Sequence, residues 1–227
     1  MFQSLGINYR VGNREFTMKK IALTLTMLLG SLSASNALAF DGDAEAGKAK
    51  AATCAACHGP DGNAPVTIYP KIAGQHADYI YKQLKEFKLG MTSGGTEGRM
   101  DPVMSGMAMP LSDQDMKDLS AYFASLSMSA GTTPEDVVVV GKKLYMSGDA
   151  ERGIPSCAAC HGPRGNGTSL ANFPKISFQH PEYIKAQLEK FRDGKRNNDM
   201  NGMMRDIASK LTDKDIEVLS KYLGGLH

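Results

Sequence analysis

The stretch Cys54-Ala-Ala-Cys57-His58-Gly59-Pro60 returns as Cys157-Ala-Ala-Cys160-His161-Gly162-Pro163, 103 residues further along a chain of 227. The recurrence continues around it. Tyr69-Pro70-Lys71-Ile72, Gln75-His76 and Tyr79-Ile80 return as Phe173-Pro174-Lys175-Ile176, Gln179-His180 and Tyr183-Ile184. Leu111-Ser112-Asp113 with Asp115 returns as Leu211-Thr212-Asp213 with Asp215. The blocks keep their order, so the chain carries two copies of one unit. Ser125 to Pro134, rich in Ser, Gly and Thr, reads as the linker. A boundary near Ala130 divides the chain into domains at 40–130 and 131–227.

Each copy reads as helical. A first helix is expected at about Ala44 to Ala52, and its counterpart from Glu135, just inside Pro134, to Tyr145. A middle helix has the packed stripe Ile80, Leu84 and Phe87, mirrored by Ile184, Leu188 and Phe191, and Gly90 and Gly194 are expected to end it. Ser112 and Thr212 open a last helix that packs Met116, Leu119, Tyr122 and Phe123 in one copy and Ile216, Leu219, Tyr222 and Leu223 in the other. The connections are rich in Gly and Pro and show no alternating strand pattern. The expected class is all-α, with about three main helices in each copy.

Residues 18–39 have the parts of an export signal: Lys19 and Lys20, the uncharged run from Ile21 to Gly30, and the small-x-small site Ala37-Leu38-Ala39. The apolar run is short beside the ~20 residues a membrane span needs, so cleavage before Phe40 is expected. Residues 1–17 read as an upstream extension from a misplaced start codon. An exported product places the protein in the periplasm of a Gram-negative cell, with at most peripheral attachment to a membrane surface. With 26 Lys+Arg against 24 Asp+Glu there is no stripe for a polyanion, which argues against nucleic acid as a partner. The charge is uneven: 8 basic and 11 acidic residues in 40–130 against 14 and 12 in 131–227, an asymmetry able to orient the molecule between donor and acceptor.

A loop-rich unit of this size has little core and needs a staple. Four cysteines in an exported chain would by default form disulfides, and a CxxC pair alone could be a redox dithiol or half a zinc site. The His after each pair changes the reading. C-x-x-C-H is the haem c attachment pattern, two thiols spaced for the porphyrin vinyl groups and a His placed to reach the iron. Two such motifs use all four cysteines and leave zinc without enough ligands. Two covalently bound haem c groups are expected, at Cys54, Cys57 and His58 and at Cys157, Cys160 and His161.

The remaining axial ligand decides between electron transfer and chemistry at an open iron. Aligned on Leu111 and Leu211, Met104 matches Met204, whereas Met107, Met109 and Met203 face residues other than Met. Met104 and Met204 are the expected ligands, with the matched pair Met100 and Met200 as the alternative. His76 and His180 are read as helix-opening residues rather than ligands.

These residues resemble class I cytochromes c, and their tandem arrangement resembles the dihaem cytochrome c4 family over essentially the whole chain after residue 39. The resemblance implies His/Met ligation at both irons, two domains packed face to face and delivery of electrons to respiratory oxidases. It also implies that Pro70 and Pro174 offer their carbonyls to His58 and His161, and that Gly47 crosses Tyr122 and Gly141 crosses Tyr222. Ala51 departs from the pattern, since its counterpart is the aromatic Tyr145. An iron closed on both sides has no place for a substrate, so the expected function is one-electron transport with no catalytic residue. The expected partners are redox proteins: a terminal oxidase, a quinol-cytochrome c reductase or another cytochrome. A dihaem peroxidase with one open iron, and a haem relay subunit of a periplasmic dehydrogenase, are the alternatives.

Overall fold

Asp43 opens the first helix because its carboxylate accepts from the N–H groups of Glu45 and Ala46. Helix α1 (Ala44–Lys50) leads through Ala51 into α2 (Ala52–His58), so the cysteine pair rides on a helix where the sequence predicts a loop. After an irregular stretch come α3 (Ala77–Thr92), α4 (Pro102–Ala108) and α5 (Asp113–Ser125). The second half repeats the order with α6 (Glu135–Ser147), α7 (Ala158–His161), α8 (Pro181–Arg192), α9 (Met203–Ser209) and α10 (Asp213–Gly224). This computed structural model describes residues 40–227; the export-signal reading at 18–39 and the preceding extension lie outside the described residues. Among the described residues there is no strand beyond two isolated bridges, Asp149 with Ile154 and Thr168 with Phe173.

The same packing is built twice: α1 on α5 and α3 on α4 and α5, then α6 on α10 and α8 on α9 and α10. Glycine permits the first crossing in each half. A Cβ on Gly47 would stand 2.0 Å from the Asp118 carbonyl oxygen and 2.9 Å from Tyr122 Cβ, and one on Gly141 would stand 2.5 Å from Tyr222 Cβ. Ser112 and Thr212 both form capping boxes, with Asp115 and Asp215 reaching back to the capping residue's N–H. Two local expectations change. Gly90 lies inside α3, buried where a Cβ would meet the Arg99 carbonyl oxygen at 2.5 Å, and the chain turns with positive φ only at Gly94 and Gly95. Close approach, not termination, explains this glycine, whereas Gly194 at φ 71° does follow α8. Tyr122 is only half-buried, while its counterpart Tyr222 joins the core.

The two cores differ in size. Ala51, Ile80, Leu119 and Phe123 form the first; the second is larger and includes Tyr145, fully buried beside Tyr222 with ring centroids 5.8 Å apart. The Tyr145 hydroxyl donates to the Gly162 carbonyl, tying α6 to the turn after the second Cys-His motif. Ala51 offers the first half neither the volume nor the bond.

Candidate functional site

Each Cys-x-x-Cys-His motif ends at a glycine with positive φ, Gly59 at 79° and Gly162 at 76°. Only glycine takes that conformation without strain, and the reversal leaves the preceding histidine facing inward. His58 is 6% exposed and His161 8% exposed. His58 Nδ1 lies 2.9 Å from the Pro70 carbonyl oxygen, and His161 Nδ1 lies 3.0 Å from that of Pro174. A carbonyl can only accept, so each Nδ1 carries the proton and each Nε2 keeps a free lone pair. Burial pushes both imidazoles below the usual histidine range, and the carbonyl bonds oppose that shift.

Both histidines line one cavity of about 1460 Å³ that passes through both halves. Cys54, Cys57 and Cys157 share its wall, whereas Cys160 is exposed and stands off it. None of the four cysteines is paired in a disulfide. Met104 and Met204 also line the cavity, from α4 and α9. Met100 is 46% exposed and absent from the wall, while Met200 and Met203 reach it. Asp101 caps α4 with Pro102 following it, a start signal in the sequence that could have placed Met104 on a helix. No such cap precedes α9, which begins after left-handed Gly202. His76 and His180 open α3 and α8 and stand off the cavity wall. Their Nε2 atoms bond across the molecule, to the Asn166 carbonyl at 2.8 Å and the Ala64 carbonyl at 2.9 Å.

Two arginines on the wall went unnoticed in the sequence. Arg99 and Arg196 are buried where the halves meet, stacked on Phe87 and Phe191. Their guanidinium groups donate to the Gln83 and Gln187 side-chain oxygens and to the Tyr79 hydroxyl, none of which is a carboxylate. Two buried cations without an anionic partner are costly, which suits an occupant bearing carboxylates. Nothing in a single sequence separates such an arginine from a surface one. Among the described residues no three His, Cys, Asp or Glu side chains group together.

The cytochrome c family profile matches residues 44–127 and again 138–227. Cytochrome c4 of Stutzerimonas stutzeri is 46% identical over 213 residues, which cover 92% of this chain and 100% of the relative. The chain belongs to the cytochrome c4 family. The crystal structure of reduced recombinant cytochrome c4 from Pseudomonas stutzeri superposes with a TM-score of 0.79 at 46% identity, covering 82% of this chain and 100% of that one. A protein named thiosulfate dehydrogenase electron acceptor, from Stutzerimonas stutzeri strain A1501, is 34% identical over 92% of this chain and 97% of its own length. Cytochrome c4 proteins are dihaem electron carriers, and two tandem cytochrome c domains imply two covalently bound haem c groups here. The site fits that cofactor: an apolar cavity through both halves, an inward histidine with Cys54 and Cys57 on the wall in the first and with Cys157 in the second, and buried guanidinium groups suited to carboxylates.

Proposed function

We propose that the chain works in the periplasm, after removal of residues 18–39, as a one-electron shuttle whose domains 40–130 and 131–227 each hold one haem. Thioether bonds form at Cys54, Cys57, Cys157 and Cys160, and the axial pairs are His58 with Met104 and His161 with Met204. The observation that carries this reading is that each buried histidine has its proton committed to a proline carbonyl and its Nε2 free, in a cavity that also holds the matched methionine. A bound haem supplies an iron that gains and loses one electron. The chain's residues keep that change small by holding His58 and His161 in fixed orientation and excluding water, while the methionine sulfurs of Met104 and Met204 would favour the ferrous state. Among the described residues no helix is long and apolar enough to cross a membrane. Reduction by a quinol-cytochrome c reductase or another cytochrome and delivery to a terminal oxidase match a high-potential His/Met pair.

The optical spectrum of the exported protein, with haem counted per chain, tests the proposal. Two haems with a full-strength far-red band of Met bound to ferric iron are expected. A half-strength band with a high-spin component would overturn it and favour the peroxidase. His76 and His180, the distal acid-base candidates for such an enzyme, are bonded to carbonyls of the opposite half. A second donor follows from the relative named as an electron acceptor of thiosulfate dehydrogenase. Stopped-flow reduction by a thiosulfate dehydrogenase, compared with reduction by a quinol-cytochrome c reductase, separates the two sources of electrons.

A further inference from the structure

Gln75 and Gln179 recur in both copies, are 7% and 5% exposed, and line the cavity without being among the proposed haem ligands. Each reaches into the opposite half. Lys71 N–H donates to Gln179 Oε1 at 2.8 Å, and Gln179 Nε2 donates to the Lys71 carbonyl at 2.8 Å. Reciprocally, Lys175 N–H donates to Gln75 Oε1 at 2.9 Å, and Gln75 Nε2 donates to the Lys175 carbonyl at 2.7 Å. The residue before each glutamine is left-handed, Gly74 at φ 63° and Phe178 at φ 60°. For a phenylalanine that backbone is strained, so the delivery of Gln179 is maintained against a local cost.

The peptide groups these glutamines hold are the ones that hold the histidines. The Lys71 N–H and the Pro70 carbonyl are two ends of one planar amide. One end is bound by Gln179 of the second half and the other accepts from His58 of the first. The amide between Pro174 and Lys175 stands in the same way between Gln75 and His161. An amide whose N–H is hydrogen-bonded is polarised and becomes a stronger acceptor at its oxygen. A stronger acceptor at Nδ1 makes an imidazole a better donor to its metal, which favours ferric iron and lowers the potential.

We infer that Gln75 and Gln179 are positioning residues acting crosswise, each lowering the reduction potential of the haem in the opposite half through one peptide group. The inference rests on the proposed ligation by His58 and His161. It makes the interface a coupling element: a change in how the halves pack alters both irons through these two peptide groups.

The test is an NMR-monitored redox titration of the holoprotein, with haem methyl resonances assigned to each half, for wild type, Gln179→Leu, Gln75→Leu and Gln179→Glu. Gln179→Leu should raise the potential of the haem held by His58, move the His58 Nδ1 proton upfield and leave the other haem in place. Gln75→Leu should give the mirror image. Gln179→Glu keeps an oxygen for Lys71 N–H and should hold the first potential at or below the wild-type value. Equal shifts at both haems, the pattern of a merely loosened interface, would overturn the inference. So would a shift in the variant's own half, no shift, or a rise in Gln179→Glu, which still decides the matter if the leucine variants do not accumulate. If the His58 and His161 ring resonances of wild type carry no hyperfine shift from the iron, the histidine ligation is overturned and this inference with it. Shifted ring resonances with an uncrossed pattern overturn the inference alone.

Discussion

At the scale of single residues, the methionines show what a repeat can resolve. Register within the repeat leaves two matched pairs standing, and the cavity then distinguishes them in the first half, where Met104 is on the wall and Met100 is exposed. Met104→Ala should abolish half of the far-red Met-to-iron band and create a high-spin component, whereas Met100→Ala should leave the spectrum unchanged. Equal spectra for the two variants would remove Met104 as the ligand. In the second half Met200, Met203 and Met204 all reach the cavity, so there the repeat carries more of the argument than the wall does. His76 and His180 show the reverse: their helix-opening role was legible, but their carbonyl partners lie about 90 and 116 residues away in sequence.

At the scale of elements, the helix crossings and caps set the local stability. Gly→Ala within a helix gains about 1 kcal/mol of intrinsic propensity, but a Cβ on Gly141 would stand 2.5 Å from Tyr222 Cβ, and relieving such overpacking costs about 1–3 kcal/mol. The steric cost should win, so Gly141→Ala is expected to lower the Tm by a few degrees in a thermal melt. Gly47→Ala should be the more damaging, because its Cβ would meet backbone carbonyl rather than side chain. The caps carry a pH dependence. Burial pushes the Asp215 carboxyl up, but hydrogen bonds from Arg152 and from the Thr212 hydroxyl and N–H outweigh it and hold the group at about 2. A carboxyl with a folded value below its unfolded value of ~3.9 stabilises fully above that value and loses its contribution as pH falls through the folded one. The advantage of wild type over Asp215→Asn in urea midpoint should therefore be constant above about pH 5 and shrink steadily as pH falls toward 2. A constant gap across that range would show that the cap acts without its charge.

At the scale of the whole molecule, the cavity of about 1460 Å³ is the dominant fact. It runs between small cores, and it brings Arg99 and Arg196 together without a carboxylate between them. An apolar void of that size and a pair of buried cations are each destabilising. Protein made without haem attachment, for example with all four cysteines changed to alanine, should therefore show low helicity by circular dichroism and no cooperative melt. A cooperative transition in the haem-free chain would mean that the two cores suffice alone. The uneven charge of the halves, 8 basic and 11 acidic against 14 and 12, belongs to this scale too. If it orients docking, electron delivery to an oxidase should slow as ionic strength rises.

Much of the protein was readable because the informative features are local or repeated. Thiol and imidazole spacing is a matter of neighbouring residues, the capping boxes span four positions, the helical stripes follow a 3.6-residue period, and the duplication makes each half a check on the other. From these came the all-α class, the duplicated unit and the two attachment motifs, while the carbonyls of Pro70 and Pro174 were implied by the family resemblance. Gly90 was misread because a glycine that ends a helix and one that admits a neighbouring backbone look the same in a string. Arg99 and Arg196 were passed over because burial is a property of the packed halves. The exchange of Gln75 and Gln179 likewise needed the tertiary structure, since hydrogen bonds between residues 100 and 108 positions apart exist only once the two copies have met. Local chemistry settled what each half binds; packing between the halves decided what each does to the other.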